Sequence, residues 1–160
     1  MDQKTKKALL WIVSLLKEKN IPFRLSGGFA AQLYGSSRPL NDIDIEVPDA
    51  ALDPLEPLVK KYIIWGPERW KDEVFDLLLM TLNYEGQEID LSGVDTEKVY
   101  NKIKNQWENF SIPMNQFTLH RVEGLEIPVI KKEHLLAYKS KIQREVDLQD
   151  IQAIDSIKTQ

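Results

Sequence analysis

The chain has 160 residues, a net charge of −4, two histidines and no cysteine. This composition excludes disulfides, thiol catalysis, zinc–thiolate sites and a metal cage built from histidines, and it leaves the oxygen ligands that Mg²⁺ prefers. The length predicts a single domain over residues 1–160, closed by helices from about residue 131, and the acidic balance argues against an extended nucleic-acid surface.

The first part of the chain predicts a helix, a strand and a glycine turn. Apolar residues and lysines share helical spacing over residues 4–19, and a short apolar strand follows. Ser26, Gly27 and Gly28 then precede a short predicted helix at 29–34. Because glycine lacks a Cβ atom, such a turn lets backbone N–H groups approach a phosphate, with the Ser26 hydroxyl as a further contact. A tight turn with a purely geometric role is the alternative.

Arg38 lies between this turn and the next predicted strand, directly before a proline. Its planar donors suit triphosphate oxygens or a carboxylate that needs orienting. The sequence is equally consistent with a surface arginine in a loop.

Two aspartates alternate with isoleucines in the predicted strand at 41–47. Alternation buries the isoleucines on one face and projects Asp42 and Asp44 from the other. Two carboxylates about 4 Å apart repel by about 4 kcal/mol at an effective dielectric constant near 20, so a fold that holds them together needs a cation or a proton. The pattern therefore predicts a divalent metal site, and a solvated acidic edge strand is the alternative.

The glycine turn and the acidic strand together resemble the signature of the nucleotidyltransferase superfamily related to DNA polymerase β. The likeness is closest to small aminoglycoside and lincosamide nucleotidyltransferases and to nucleotidyltransferase-like toxins of toxin–antitoxin systems. The residues that carry it are Gly27, Gly28, Ala30, Gly35, Arg38 and Asp42-Ile43-Asp44-Ile45. The resemblance implies an α/β (α+β) fold with a small mixed sheet, flanking helices and C-terminal helices. It also implies that the glycine pair holds a nucleoside triphosphate and that the aspartates bind Mg²⁺, with Mn²⁺ as the alternative ion.

The same resemblance implies a third acid on a neighbouring strand. Residues 74–84 and 87–91 predict two strands joined by a Glu85-Gly86 turn, and Asp90 lies between apolar neighbours in the second strand. Asp90 is therefore the predicted third acid, which would ligate the metal or accept a proton from the acceptor hydroxyl. Glu88 and Asp95 are its rivals, although Asp95 is predicted to lie in a loop that caps the next helix.

The remaining elements are predicted from spacing alone. A helix at 49–61 is interrupted by two prolines, and a loop at Gly66-Pro67 carries aromatic residues that either anchor it or stack on a nucleobase or sugar-like acceptor. Val99, Ile103 and Trp107 are spaced by four, which predicts a helix over 96–110. The sequence then predicts a hairpin that turns at Glu123-Gly124, followed by helices at 132–143 and 146–158.

The last two helices carry a second likeness to the same nucleotidyltransferase groups. Lys139 is followed by Arg144, Asp147 and Asp150 in an Arg-x-x-Asp-x-x-Asp pattern. The likeness implies that Lys139 faces the triphosphate or buttresses the acidic site, and a solvated lysine is the alternative. We interpret the two aspartates as complements to the helix dipole.

These predictions combine into a Mg²⁺-dependent nucleotidyltransferase that moves a nucleoside monophosphate from a nucleoside triphosphate to a hydroxyl. The acceptor is a small aminocyclitol or sugar-like molecule, an RNA or a protein side chain. The alternatives are a member of a toxin–antitoxin pair that binds nucleotide or an antitoxin partner without turnover, and a structural domain with a fortuitous acidic pair. A homodimer is compatible with either functional prediction. No apolar run approaches the roughly 20 residues of a membrane span, and the opening residues lack a signal-peptide core, so we expect a cytoplasmic protein.

Overall fold

The computed structural model describes residues 1–158, which form an α/β fold around a mixed sheet. The helices in this part of the chain are α1 (Gln3–Glu18), α2 (Gly27–Leu33), α3 (Leu52–Val59), α4 (Lys132–Ile142) and α5 (Glu145–Lys158). The strands are β1 (Arg24–Ser26), β2 (Asp42–Val47), β3 (Ile63–Lys71), β4 (Phe75–Tyr84), β5 (Gln87–Gly93), β6 (Lys98–Asn101), β7 (Gln106–Asn109), β8 (Thr118–Val122) and β9 (Leu125–Val129). Within the described residues, no helix is both long and apolar enough to cross a membrane.

The sheet has the strand order β7-β6-β4-β5-β2-β1-β9-β8, and β3 pairs with β4. β2 runs antiparallel to β1 and parallel to β5. This register places Asp44 opposite Ser26 on one side and opposite Asp90 on the other. The topology therefore brings the glycine turn and the two acidic strands into one row.

The core lies on the face of the sheet opposite the acidic residues. Ile43 and Ile45 of β2 and Ile89 of β5 are fully buried, as the strand alternation predicts. The amphipathic helix α1 covers this face, where its Thr5 hydroxyl donates to Gln87 Oε1 of β5 at 2.6 Å. Burial of the odd-numbered positions leaves the even-numbered carboxylates on the other face.

Most of the elements predicted from spacing are confirmed. Helix α1 begins after Asp2, whose carboxylate accepts the Thr5 backbone N–H at 2.7 Å. The hairpins turn at Glu85-Gly86 and Glu123-Gly124 as predicted, and the two closing helices form. The helix predicted over 49–61 is broken into α3 and two flanking 3₁₀ turns, as its prolines indicate.

The helix predicted over 96–110 is wrong, because this segment forms the β6–β7 hairpin. The Asn101 side-chain oxygen accepts the backbone N–H groups of Ile103 and Lys104, each at 3.0 Å, and Asn105 has a φ of 53°. These local bonds favour a turn over a helix. Ile103 is consequently 69% exposed at the turn, so the spacing by four residues does not reflect a buried helical face.

The loop predicted around Gly66-Pro67 is also wrong, because these residues belong to β3. The pairing of β3 with β4 shifts register between Trp65 and Glu68, and Pro67 falls within that shift. Proline lacks the N–H that regular pairing requires, so it is accommodated where the pairing is irregular. With β3, β6 and β7 added, the mixed sheet is larger than the small sheet that the resemblance implied.

Candidate active site

Three predicted acids meet on the polar face of the sheet. Asp42 and Asp44 on β2 and Asp90 on β5 each offer a carboxylate oxygen, and these oxygens all lie within 4.8 Å of one another. The Thr81 hydroxyl on β4 donates to Asp90 Oδ1 at 2.7 Å and fixes its orientation. We call Asp42, Asp44 and Asp90 the acidic triad.

The two rivals for the third acid lie outside the acidic triad. Glu88 is opposite Asp42 in the strand register, but it is exposed and is not part of the cluster. Asp95 lies in the loop after β5, where its carboxylate accepts the Asp49 backbone N–H at 2.8 Å. Asp95 therefore fixes a loop and does not cap a helix.

The acidic triad is electrostatically unfavourable without a cation. Burial raises the pKa of Asp42, and burial together with the charges of Asp42 and Asp90 raises that of Asp44 well above its usual range. Burial also raises the pKa of Asp90 to about 6, with the Asp42 charge adding to it and the Thr81 hydrogen bond opposing it. Carboxylate oxygens in this arrangement are the ligand set of a hard divalent cation such as Mg²⁺. The residues present therefore fit the metal that the sequence predicted.

The glycine turn at the start of α2 packs directly on Asp44. Gly27 has a φ of 58°, and a Cβ atom at this position would overlap the Asp44 carboxylate. The Gly28 backbone lowers the pKa of the same carboxyl, against the larger effect of burial. Any larger residue at position 27 would strain the backbone and displace the acid. Ser26 lies near the Tyr138 hydroxyl, whose pKa burial raises well above its usual range.

Arg38 and Lys139 belong to a network of ion pairs beside the acidic triad. Lys139 is 1% exposed, and its Nζ lies 3.0 Å from Asp147 Oδ1 and 3.1 Å from Asp150 Oδ2. Arg38 binds Asp150 at 2.9 Å, and Arg144 binds Asp147 at 2.7 Å. We call these five residues the ion network. Asp147 lies in the first turn of α5, as the interpretation as a dipole complement requires, but that interpretation is incomplete, because Asp147 and Asp150 are also fully buried ion-pair partners. Lys139 is not a solvated lysine.

The pKa values of the two acids in the ion network are shifted in the opposite direction from those of the acidic triad. Burial alone would raise the pKa of Asp147 and of Asp150. Hydrogen bonds and charges from Arg144 and Lys139 outweigh burial at Asp147, and those from Arg38 and Lys139 do so at Asp150, so both pKa values are lowered. The Lys139 charge also opposes the rise at Asp44. The buried Lys139 ammonium therefore acts electrostatically on both the ion network and the acidic triad.

A cleft of about 630 Å³ opens over the acidic triad. Its lining includes the glycine turn, the three cations of the ion network and an apolar wall. The wall is formed by Ile64, Trp65, Trp70, Leu77 and Leu79. The Trp65 and Trp70 rings contact each other edge to face at 5.3 Å between centroids. This volume lies within the range of small-molecule sites.

Sequence reasoning missed two further carboxylates in the cleft. Glu46 follows Asp42 and Asp44 on the same face of β2, and its Oε1 accepts from Arg24 Nε at 3.0 Å. Strand alternation could have identified Glu46. Glu97 directly precedes β6 and lines the same cleft, but the mistaken helix over 96–110 concealed its position.

Comparison with known proteins gives one family and one fold. The family model described as aminoglycoside-2''-adenylyltransferase matches residues 8–154. No curated protein matches the sequence significantly.

A Thermotoga maritima protein described as a nucleotidyltransferase superposes with a TM-score of 0.70 at 17% identity, covering 99% of this chain and 94% of its own. The lincosamide antibiotic adenylyltransferase LnuA, bound to lincomycin, gives 0.64 at 19% identity over 98% of this chain and 99% of its own. ANT(2'')-Ia in complex with adenylyl-2''-tobramycin gives 0.60 at 15% identity over 95% and 88%. At these identities the structural matches show the fold alone.

The family model spans nearly the whole chain, including the glycine turn, the acidic triad and the ion network. The chain therefore belongs to the aminoglycoside-2''-adenylyltransferase family and is a nucleotidyltransferase.

Proposed function

We propose that this protein transfers a nucleoside monophosphate from a nucleoside triphosphate to a hydroxyl acceptor, with Mg²⁺ held by Asp42, Asp44 and Asp90. One observation carries the proposal. Three carboxylate oxygens lie within 4.8 Å of one another, and none of the three residues forms an ion pair within residues 1–158. A cation from solution is the simplest partner for this charge.

The bound metal would neutralise the phosphate charge that develops in the transition state and align the reacting groups. Asp90, oriented by the Thr81 hydroxyl, accepts the proton of the acceptor hydroxyl. The hydroxyl oxygen then forms a bond to the α-phosphorus, the bond to the β-phosphate oxygen breaks, and pyrophosphate leaves. Positioning and charge neutralisation supply most of the rate enhancement in such a transfer.

The donor triphosphate would lie on the side of the cleft that the glycine turn forms. Ser26, Gly27 and Gly28 line this side, and Arg38 Nη2 would lie 3.1 Å from a Cβ atom at Gly28. The Arg38 side chain keeps 21% of its surface exposed while it binds Asp150, so it retains donors for phosphate oxygens. Lys139 would act indirectly on the donor site. It pairs with Asp147 and Asp150 of the ion network, and its charge lowers the pKa of Asp44.

The acceptor that the cleft favours is a small molecule. Its volume of about 630 Å³ suits a small molecule, and the protein has a net charge of −4, which disfavours a polynucleotide. Two relatives by fold are named for antibiotics, a lincosamide in LnuA and an adenylylated tobramycin in ANT(2'')-Ia. A small hydroxylated compound is accordingly the proposed acceptor class.

Transfer of label tests the proposal directly. The protein is incubated with each α-³²P-labelled nucleoside triphosphate, Mg²⁺, a pool of small metabolites and total RNA. We expect label on a small molecule, and we expect Asp42→Asn to lower the rate by about a thousandfold, which corresponds to about 4 kcal/mol of lost transition-state stabilisation.

Asp53→Asn is the matched control, because it removes the same charge from an exposed position on α3. It should transfer label at the wild-type rate, and both variants should retain the wild-type circular dichroism spectrum. Wild-type transfer by Asp42→Asn would refute the site. Nucleotide binding without any transfer would favour the toxin–antitoxin alternative.

A further inference from the structure

Three strands of the sheet, β3, β7 and β8, are paired on one side only within the described residues. Two of these edges carry features that discourage further pairing. β3 contains Pro67 and shifts register twice against β4, and β7 is only four residues long. β8 has neither feature, because Thr118–Val122 contains no proline and pairs with β9 in unbroken register. Natural proteins usually protect exposed edges, so the unprotected edge of β8 indicates a surface that another strand covers.

The backbone groups of Leu119 and Arg121 point toward this open edge. The turn between β8 and β9 is the two-residue loop Glu123-Gly124, in which both φ angles are positive, at 49° and 81°. Such a turn closes on a hydrogen-bonded pair, here Val122 with Leu125, and hydrogen-bonded pairs then alternate along an antiparallel ladder. Leu119 and Arg121 fall at the intervening positions, so their N–H and C=O groups face away from β9. Within residues 1–158, no turn or loop backbone bonds to these groups.

The side chains on the outer face of this hairpin form an apolar row beside a charged one. Leu119 is 56% exposed, and Phe117, directly before the strand, is 36% exposed. Pro128 of β9 lies opposite Leu119 and extends the apolar row. Arg121 lies opposite Glu126, and both are exposed. A partner strand at this edge would therefore meet an apolar centre next to one positive and one negative side chain.

We propose that β8 pairs with β8 of a second copy of this chain, antiparallel and about a two-fold axis at Leu119. The two Leu119 residues then lie opposite each other and exchange two backbone hydrogen bonds. Arg121 of each copy lies opposite Phe117 of the other, where its outward N–H and C=O groups have a backbone to bond to. The two sheets become continuous across this edge.

The outer side chains favour a second copy in this register. Leu119 packs on its own counterpart at the axis, and each Arg121 guanidinium meets a Phe117 ring, which is a favourable cation–π pair. Glu126 stays beside Arg121, so the charged row of each copy is balanced. An axis at His120 would instead bring the two Arg121 side chains to diagonal positions about 7–8 Å apart, where like charges repel.

The open edge of β8 is remote from the cleft. β9 and β1 separate β8 from the acidic strand β2, which corresponds to about 14 Å at about 4.8 Å for each strand spacing. Among the described residues, none that lines the cleft belongs to β8 or β9. Both clefts of the dimer remain open, so pairing through β8 is independent of the proposed function.

Single introduced cysteines test the register, because the chain has no cysteine of its own. Leu119→Cys places two thiols opposite each other, with Cα atoms about 5.5 Å apart, within the span of a disulfide. Arg121→Cys places them about 14 Å apart across the axis, beyond that span. Ile103→Cys is the control at an exposed turn far along the sheet.

Under mild oxidation, covalent dimer is measured on a non-reducing gel. We expect about ten times more of it from Leu119→Cys than from either of the other variants, since only that variant holds its thiols within reach. Equal cross-linking in the three variants would indicate random collision and would overturn the proposal.

Sedimentation velocity over a concentration series tests the association itself. We expect a reversible dimer in the wild type. Leu119→Pro removes the N–H that faces the second copy, leaves the ladder with β9 intact, and should raise the dimer Kd by about a hundredfold. Leu119→Ala keeps the N–H and should raise the dimer Kd by about tenfold, through lost packing alone. Ile103→Ala is the matched control and should stay within about twofold of the wild type.

A second substitution guards against misfolding of the proline variant. Leu119→Lys brings two positive charges together at the axis and should dissociate the dimer as strongly as Leu119→Pro, with an unchanged circular dichroism spectrum. A wild type that stays monomeric up to about 200 µM, where even a weak pair with a Kd near 100 µM is largely dimeric, would overturn the proposal. A dimer that both folded variants retain would overturn it as well. Neither result bears on nucleotide transfer.

Discussion

The cleft holds two groups of acidic residues that the fold treats in opposite ways. In the ion network, Asp147 and Asp150 are fully buried and paired with Lys139 and two arginines, and their pKa values are lowered. In the acidic triad, the carboxylates have no ion-pair partner within the described residues, and their pKa values are raised. Arg38, Lys139 and Arg144 lie close to the acidic triad, but each of them is paired with Asp147 or Asp150.

This difference separates a structural cluster from a functional one. A buried ion pair that is complete within the chain has no need of a ligand, and removal of one partner leaves an uncompensated charge. A cluster of carboxylates without internal counterions is stabilised only by protons or by a cation from solution. The positions of the positive side chains thus distinguish the acids that are neutralised within the chain from those that a cation from solution could neutralise.

The largest effect is expected from Lys139→Met. The variant leaves Asp147 and Asp150 without their shared ammonium, and we expect the free energy of unfolding to fall by about 3–5 kcal/mol. Urea unfolding of the wild type and the variant measures this difference in the free energy of unfolding. Lys141→Met is the matched control on the same helix, because its pair with Glu108 is partly exposed and should be worth less than about 1 kcal/mol. Equal losses in the two variants would contradict the assignment of a structural network.

A smaller effect is expected from the pH dependence of the acidic triad. The pKa of Asp90 rises to about 6 in the folded protein, so its contribution to stability is full below about pH 4 and is lost as the pH rises through 6. In EDTA, we expect the wild type to lose about 2 kcal/mol relative to Asp90→Asn between pH 4 and pH 7. Urea unfolding at each pH gives the difference. Parallel curves would show that Asp90 is not perturbed.

The smallest effect is expected from the metal itself. At a Mg²⁺ concentration ten times its Kd, binding stabilises the folded state by about 1.4 kcal/mol, or about 3–5 °C in melting temperature. Asp42→Asn should lose most of this shift, while Lys141→Met should keep it. Thermal denaturation with MgCl₂ against NaCl at equal ionic strength measures the shift. An equal shift in Asp42→Asn would place the ion elsewhere.

Patterns that extend over a few residues predicted the elements that depend only on neighbouring residues. The alternation around Asp42 and Asp44 predicted both the buried face of β2 and the common direction of the two carboxylates. The resemblance added Asp90, and the strand register places it opposite Asp44. The spacing of Val99 and Ile103 misled, because it matches a helix while the Asn101 side chain bonds the backbone of a turn.

The sequence by itself determined the acidic strand, the glycine turn and the closing helices, since alternation, glycine conformation and helical periodicity act over a few residues. Only the tertiary structure decided which acids are neutralised. Arg38 and Asp150 are 112 residues apart in the chain, and Glu97 reaches the cleft only because a hairpin forms where spacing predicted a helix. Charge pairing depends on distance in space, and a one-dimensional pattern does not contain that distance.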